Sequence, residues 1–321
     1  MLKRWSKSAG NSFIYLPNIM FTKYSAPPLL YSRNKIGTSE TLRNETVITT
    51  ENVKPISVHV PTHLRPVNDE QFGHYLAGLI DGDGHFSSKQ QLVIVFNSLD
   101  ASLAYYIKER LGFGSIHKVK DKNALILVIA ARKGLEKVIN LINGKIRTEN
   151  KFDQITKNIL NHENYAEFRK KSTLVPSLKL NLDKDLKNHW LAGFSDADAS
   201  FQIKVLSRRN RTEVRLNFQV GAEQQKKDSI LILIKDFLGG NIGYRKTQDT
   251  YYYDSTSFGS ARNAINYFDY FHLLSTKHIN YLKWRKAYII IQNRDHLNKD
   301  GLEKIIKLKN TMNRLSDTTT V

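Results

Sequence analysis

Two segments of this chain, each thirteen residues long, carry paired acids in the same pattern. They are His74-Tyr-Leu-Ala-Gly-Leu-Ile-Asp-Gly-Asp-Gly-His-Phe86 and His189-Trp-Leu-Ala-Gly-Phe-Ser-Asp-Ala-Asp-Ala-Ser-Phe201, identical at seven positions with an offset of 189 − 74 = 115. Such agreement indicates an internal duplication. The second acid of each segment, Asp83 and Asp198, could bind a divalent cation, because hard cations prefer carboxylate oxygens. A cation held against a phosphodiester can activate water and stabilise the leaving oxygen.

Read as a helix, each segment places small residues four positions apart, just before these acids. The small residues are Gly78 and Gly82 in the first copy and Gly193 and Ala197 in the second. Two such helices can pack with their backbones nearly touching, since no side chain separates them. Asp83 and Asp198 would then meet at the C-terminal ends, where their repulsion and the helix dipoles require a cation. We expect Mg²⁺ or Mn²⁺ there, with the free carbonyls of Gly82 and Ala197 as additional ligands.

The first acid of each pair, Asp81 in one copy and Asp196 in the other, lies on the other side of the last small residue. We expect a structural role for both, as hydrogen-bond acceptors at the helix ends or at the interface. A catalytic role is the alternative.

The segments after the two motifs also correspond, and they predict an α+β fold. After each motif come an alternating strand, a helix ending in Leu-Gly (Leu111-Gly112 and Leu238-Gly239), a second strand pair and a basic helical stretch. In the second copy, apolar residues from Val214 to Val220 alternate with polar ones, the pattern of a sheet with one buried face. The chain is therefore expected to hold two pseudo-symmetric αββαββα units, with helices on one sheet face and the other face open.

Composition limits the possible functions. The 321 residues carry 49 Lys and Arg against 30 Asp and Glu, a net charge of +19, which points to a polyanionic partner. The absence of cysteine excludes disulfides, thiolate zinc sites and cysteine nucleophiles. No membrane span is expected, because no apolar run reaches the roughly 18 residues that a spanning helix needs.

The expected domain organisation is a leader, two repeats and a linker. The ranges are 1–66 for a basic leader and linker, 67–165 for the first repeat, 166–184 for the inter-repeat linker and 185–321 for the second repeat with a C-terminal helix. Residues 1–39 contain six basic residues and no acid, which is typical of a mitochondrial transit peptide. A disordered basic arm is the alternative, and synthesis within the organelle stays open because the composition suggests an AT-rich gene.

The residues Leu76-Ala-Gly-Leu-Ile-Asp-Gly-Asp-Gly84 resemble the signature of LAGLIDADG homing endonucleases, and Leu191-Ala-Gly-Phe-Ser-Asp-Ala-Asp-Ala199 resembles its second copy in single-chain, mitochondrial intron-encoded members. The resemblance extends from about residue 67 to 314. It implies a monomer with internal pseudo-two-fold symmetry that cuts both strands of a long double-stranded DNA site in mitochondria. It also implies a four-stranded, saddle-shaped antiparallel sheet, of which each unit supplies half. The paired motif helices would join the two units.

Two other functions remain open under this resemblance. Some family members assist the splicing of group I introns as maturases, so an RNA-binding protein without cleavage activity on the same fold is the alternative. A DNA-binding protein with inactive chemistry is the third possibility. The retention of both Asp83 and Asp198, which the resemblance identifies as the metal-binding acids, argues against inactivity.

The resemblance also implies a basic residue after the last strand pair of each unit that orders the water around the metal. Lys277 in the second copy is similar to that residue. In the first copy Lys151 is preferred over Lys145. A polar residue of the same water network corresponds to Asp100 in the first copy but to Ala222 in the second, where Glu223 or Gln224 could substitute.

Basic and amide side chains on the open face are the candidates for DNA contact, because Arg, Gln and Asn can pair with base edges while Lys mainly contacts phosphates. They are Lys89, Lys118 and Lys120 in the first unit and Gln202, Lys204, Arg208, Arg209, Arg211, Arg215, Asn217, Gln219, Arg245 and Lys246 in the second. A solvated strand charge is the alternative for each. The run Tyr251-Tyr-Tyr253 could stack on unpaired bases, but β propensity favours a place in the sheet.

Overall fold

The computed structural model describes residues 54–171, 178–208, 211–222 and 229–312. The first unit begins with the first motif and continues through two hairpins. Its elements are α1 (Asp69–Asp83), β1 (Gly84–Ser87), β2 (Gln91–Asn97), α2 (Ala101–Leu111), β3 (Ser115–Lys118), β4 (Ala124–Ile129), α3 (Arg132–Ile142), α4 (Glu149–Ile155) and α5 (Ala166–Lys171). A π-helical turn at Thr156–Leu160 continues α4.

The second unit repeats this order, and its last two helices are longer than the last two of the first unit. Its elements are α6 (Trp190–Asp198), β5 (Ala199–Arg208), β6 (Arg211–Ala222), α7 (Ser229–Leu238), β7 (Asn241–Arg245), β8 (Thr250–Asp254), α8 (Phe258–Phe268), α9 (Lys277–Gln292) and α10 (Lys299–Thr311). The two Leu-Gly pairs end α2 and α7 as expected, because Gly112 (φ 73°) and Gly239 (φ 75°) adopt the left-handed conformation that glycine tolerates best.

Each unit forms its own four-stranded antiparallel sheet, in the orders β1-β2-β4-β3 and β5-β6-β8-β7. The α+β class and the repeat of two units are therefore confirmed. The expectation that the two units share four strands is wrong, because each unit contributes four. The two hairpins of each unit pair through their second strands. The central strands are therefore β2 and β4 in the first sheet and β6 and β8 in the second.

Helices cover one face of each sheet, and side-chain burial follows the strand alternation. In the second unit Phe201, Ile203, Leu216 and Phe218 are buried against α8 and α9, while Lys204 and Arg215 are exposed on the other face. The period-two pattern read from the sequence is confirmed here. In the first unit, where residues 92–96 of β2 are all apolar, Leu92 and Ile94 are buried and Val95 is 47% exposed.

The ordered fold begins before Val67, where the sequence placed its start. Residues 54–66, expected to be linker, run along the second unit. Ile56 is buried, and its backbone N–H and C=O both bond to the side chain of Gln292, at 2.9 and 3.1 Å. The Arg285 guanidinium donates to the carbonyls of Ser57 and His59 and pairs with Asp269. These contacts tie the segment to helix α9.

Residues 166–171, the start of the expected inter-repeat linker, continue the first unit as α5, and residues 178–189 lead into α6. The proposed targeting leader lies outside the described residues, as does the end of the chain after 312. Among the described residues, none of the helices combines the length and the apolar character needed to cross a membrane.

Candidate active site at the joint between the units

The two units meet through helices α1 and α6, which approach closely at glycine. A Cβ atom added to Gly78 would overlap the carbonyl oxygen of Trp190 and lie 2.8 Å from the amide nitrogen of Phe194. The reciprocal contact is equally tight, because a Cβ on Gly193 would overlap the carbonyl oxygen of Tyr75. The small residues thus pack the two helices backbone to backbone, as their spacing predicted.

This packing brings the C-terminal ends of α1 and α6, and with them Asp83 and Asp198, to one place. A Cβ on Gly82 would overlap that of Ala197 and lie 3.1 Å from a carboxylate oxygen of Asp198. Asp83 and Asp198 are both exposed, in contrast to the buried helix turns that precede them. Both carboxylates are therefore accessible to a large ligand at the joint.

Two neighbouring cavities open at these acids. The first, about 270 Å³, is lined by Ala197, Asp198, Ala199, Ser200, Gln219, Gly221, Arg245 and Lys277. The second, about 260 Å³, is lined by Leu79, Asp83, Val95, Phe96, Asn97, Asp100, Leu103, Asp196, Ala197 and Lys277. Each cavity holds one of the two predicted metal-binding acids, and both contact Ala197 and Lys277.

Among the described residues, Lys277 is the cationic side chain that lines both cavities. It starts α9, and its Nζ donates to the carbonyls of Ser195 (3.2 Å) and Ala197 (2.5 Å) at the end of α6. Burial lowers the pKa of Lys277, while the charges of Asp196, Asp83 and Asp198 oppose that shift. The Ala197 carbonyl, expected to be free for a metal, thus already accepts a hydrogen bond from this lysine.

Asp81 is buried and holds the start of α4 to the interface. Its carboxylate accepts from the backbone N–H of Arg147 (2.9 Å) and Thr148 (3.1 Å), from the Thr148 hydroxyl (2.5 Å) and from Trp190 Nε1 (2.8 Å). Burial raises the pKa of Asp81 to about 6, although these four donors favour the carboxylate.

Asp196 has the matching environment in the second unit. It accepts from the backbone N–H of Leu274 (2.7 Å) and Ser275 (3.3 Å), from the Ser275 hydroxyl (2.5 Å) and from the Tyr75 hydroxyl (2.6 Å). Each unit therefore supplies an aromatic donor to the other unit's acid. The structural role expected for Asp81 and Asp196 is confirmed. The donors Tyr75 and Trp190 were not predicted, although they occupy matched positions in the repeat.

These matched acids also align the two units where sequence similarity is weak. Thr148 and Ser275 each donate a backbone N–H and a hydroxyl to the buried acid of their own unit, so they are equivalent positions. Two residues further on, the first unit has Asn150 and the second has Lys277. The structural counterpart of Lys277 is therefore an asparagine, and Lys151 is its neighbour, half-buried on α4. Lys145 lies at the other end of α1, in a 3.0 Å ion pair with Glu70.

Asp100 joins the two units beside Lys277. Its carboxylate accepts from the backbone N–H (2.7 Å) and the hydroxyl (2.8 Å) of Thr276, the residue before Lys277. The correspondence of Asp100 with Ala222 is wrong. Gly84 and Ala199 are equivalent motif residues, and they pair with Ile94 and Val220 respectively. Ala222, two residues after Val220, is therefore equivalent to Phe96 and not to Asp100. Residues 223–228 lie outside the described part, and with them both Glu223 and Gln224.

The open face of the second sheet carries most of the predicted DNA contacts. Gln202, Lys204, Arg215 and Gln219 share this face by register, and Arg245 joins them because it pairs with Thr250 on β8. The Arg245 guanidinium donates to Gln219 Oε1 (2.5 Å) and lies 4.7 Å from the centre of the Tyr252 ring. This face is therefore polar and basic up to the edge of the Asp198 cavity.

The remaining predicted contacts of the second unit, and the strand position of Arg245, are as follows. Asn217 lies on the open face but is only 4% exposed, and its amide donates to Asp254 (3.0 Å). Arg245 is the last residue of β7, and Lys246 lies exposed in the turn that follows. Arg208 and Arg211 end and start their strands, and Arg209 lies outside the described residues.

The open face of the first sheet is different in character, since its central strands present Val93, Val95, Ile126 and Val128. The predicted lysines lie at its edges: Lys89 and Lys120 are exposed in the two hairpin turns. Lys118 is exposed at the end of β3 but shares the helix-covered side with Ile116. The tyrosine run forms β8, with Tyr253 buried and Tyr252 beneath Arg245, as β propensity indicated.

Several known proteins are similar to this chain in sequence. The sequence profile of the LAGLIDADG endonucleases matches residues 76–160 and 191–288. A cox1 intron-2 protein of Schizosaccharomyces pombe is 64% identical over 96% of this chain and 85% of that protein. The intron-encoded DNA endonuclease aI3 of Saccharomyces cerevisiae is 28% identical over 71% of this chain and 65% of that protein. The intron-encoded RNA maturase bI4 of the same species is 26% identical over 57% of this chain and 26% of that protein.

Solved structures establish the same fold. The LAGLIDADG homing endonuclease I-GzeII in complex with its DNA target has a TM-score of 0.62 at 21% identity, covering 75% of this chain and 98% of that one. I-SmaMI, bound to uncleaved DNA target in the presence of calcium ions, has a TM-score of 0.58 at 22% identity, with the same shares of the two chains.

Proposed function

The chain belongs to the LAGLIDADG endonuclease family, and we propose that it makes a site-specific double-strand break in mitochondrial DNA, with Asp83 and Asp198 as its metal-binding acids. One observation carries the proposal: two exposed acids from a duplicated motif lie at the ends of two helices in glycine contact, with Lys277 bordering the cavity at each acid. Two acids related by approximate symmetry, one from each copy of the motif, suit a cut in both strands.

The donor set at the joint fits a hard divalent cation. Two exposed carboxylates and the helix-end carbonyl of Gly82 offer only oxygen, which suits Mg²⁺ or Mn²⁺ rather than a soft metal. The Ala197 carbonyl is the weaker ligand, since Lys277 already donates to it. When bound, such an ion activates water and stabilises the negative charge on the leaving oxygen.

The chain's own residues position that chemistry. Lys277 is held at the joint by the carbonyls of Ser195 and Ala197, and the bond from Thr276 to Asp100 fixes the start of its helix. We propose that its ammonium group orders the attacking water and counters the charge that develops on the phosphate. For the first unit Lys151 stays our choice for this role, although it lies one residue beyond the structural counterpart of Lys277.

The two open faces support DNA binding in the major groove by different means. Gln202, Arg215 and Arg245 can donate to base edges on the second sheet, whereas Lys89 and Lys120 in the turns of the first can reach phosphates. The valines and Ile126 on the first sheet suit contact with thymine methyl groups. The boundaries 67–165 and 185–321 are our proposal for the two DNA-binding repeats.

The similarity to a cox1 intron-2 protein supplies the first substrate to test. Purified protein is incubated with Mg²⁺ and cox1 DNA that lacks the intron, and the products are resolved on a gel. We expect cleavage of both strands by the wild type and none by Asp83→Asn or Asp198→Asn. Asp300→Asn, which changes an exposed acid at the start of α10, is the matched control and should cut normally. Undiminished cutting by either joint variant would refute the metal assignment.

A second function, group I intron splicing, rests on the similarity to an RNA maturase. Depletion of the protein should then cause unspliced precursor to accumulate, and the two Asp→Asn variants should restore splicing as well as the wild type does. Normal splicing after depletion would eliminate this function. The Tyr252 ring offers little support for base stacking, because Arg245 already covers it.

A further inference from the structure

Three histidines form a cluster on the second unit, and none of them lines the two cavities at the joint. His63 comes from the segment 54–66, His272 from the connection between α8 and α9, and His278 from the first turn of α9. One ring nitrogen of each lies within 4.8 Å of the other two. The rings of His63 and His278 are 4.3 Å apart, and those of His63 and His272 are 5.2 Å apart. This histidine cluster has no part in the proposed cleavage chemistry.

Backbone carbonyls orient two of these rings. The Nε2 of His63 bonds to the carbonyl of Leu273 at 2.7 Å, and the Nε2 of His272 bonds to the carbonyl of Asp269 at 3.0 Å. A carbonyl can only accept, so Nε2 carries the proton in both rings and Nδ1 of a neutral ring presents its lone pair. Metal-binding histidines are held in this way, with the second ring nitrogen donating to a carbonyl or carboxylate.

The remaining ring nitrogens are available for a ligand. Nδ1 of His278 is buried without a hydrogen-bond partner. Nδ1 of His272 receives only a long contact of 3.4 Å from the backbone N–H of Leu64.

From this arrangement we propose that His63, His272 and His278 bind one transition-metal ion, with Zn²⁺ the best match. Three imidazoles form a known zinc donor set, with water in the fourth position, and they are a poor set for Mg²⁺ or Ca²⁺. Zn–N bonds of about 2.0 Å at tetrahedral angles place the ligand nitrogens about 3.4 Å apart, so the cluster must contract by at most about 1.4 Å. His63 can supply this movement, because its side chain is exposed on an extended segment.

Such an ion would fasten the segment 54–66 to the connection that begins α9. That connection provides the backbone N–H groups of Leu274 and Ser275 to Asp196 and leads directly into Lys277. Zinc would therefore have a structural role, separate from the divalent ion at the joint. Zinc binding at the histidine cluster does not depend on whether the protein cleaves DNA.

The test measures zinc in the full chain, prepared without a histidine tag and carrying Asp83→Asn and Asp198→Asn to remove binding at the joint. Titration should give one Zn²⁺ per chain by elemental analysis after gel filtration, and Co²⁺ should give the visible absorption of a tetrahedral site. Saturating zinc should raise the melting temperature by about 5 °C or more, because it binds the folded state alone.

His63→Ala and His278→Ala should each lower zinc affinity at least about 10-fold and abolish the thermal shift. His59→Ala is the matched control, since His59 is exposed in the same segment but outside the cluster. His63→Ala removes an exposed side chain, so the fold should survive, which circular dichroism checks. Failure of the parent protein to retain zinc, or undiminished zinc in both cluster variants, would overturn the proposal.

Discussion

The close packing of α1 against α6 is tested most directly by Gly78→Ala, which adds one methyl group at the helix contact. The new Cβ would lie 2.8 Å from the Phe194 amide nitrogen and from the Trp190 carbonyl carbon, and closer still to the Trp190 oxygen. Ordinary contacts between such atoms are about 3.5–4.0 Å, so the two helices must separate by about 1 Å. Overpacking typically costs about 1–3 kcal/mol. We expect the upper end, about 3 kcal/mol, because the contacted atoms are backbone and cannot rotate away.

Differential scanning calorimetry should show this loss as a melting temperature lowered by about 6–12 °C. The same separation moves Asp83 relative to Asp198, and a displacement of 1 Å at a reacting centre can reduce rates about 100-fold. Cleavage at a temperature where the variant is folded should therefore also fall. Gly259→Ala is the control, since a Cβ there has its nearest neighbour at 3.8 Å and alanine favours the helix. If Gly78→Ala has the melting temperature and the cleavage rate of the wild type, α1 and α6 are not in backbone contact at this position.

Three other changes have defined outcomes. Lys277→Met should lower single-turnover cleavage about 100-fold or more while DNA affinity by filter binding changes little, and an unchanged rate would remove this lysine from the chemistry. Burial, and then His74, lower the pKa of His189 to about 4 from 6.5, so the unfolded state takes up the proton first as the pH falls. Wild type should therefore lose about 3 kcal/mol relative to His189→Gln between pH 6.5 and 4 in urea denaturation, whereas parallel curves would contradict this. Tyr75→Phe removes the 2.6 Å bond to Asp196 and should cost about 2 kcal/mol by the same measurement; full stability would mean that the bond contributes nothing.

Local pattern was enough to predict the elements that position the site. The alternation in β6 assigned its two faces correctly, and the Leu-Gly pairs located the ends of α2 and α7. Both signals depend on residues close in sequence: burial follows the two-residue period of a strand, and a left-handed residue ends a helix wherever glycine permits it.

Register between distant segments was less predictable. The sequence offered Lys151, preferred over Lys145, as the counterpart of Lys277, and the hydrogen bonds of Asp81 and Asp196 instead align Asn150 with Lys277. The correspondence of Asp100 with Ala222 failed because insertions shift a sequence alignment but leave strand pairing intact.

By itself, the sequence determined the duplication, the glycine-rich helix pair and the two acids, because each is a repeated pattern of neighbouring residues. Only the tertiary structure determined what surrounds them. It placed Lys277 on the carbonyls that end α6, gave Tyr75 and Trp190 to the opposite unit's acid, and gathered three histidines from segments about 200 residues apart. Such contacts form between chain segments whose proximity depends on the packing of whole units, and no local period records them.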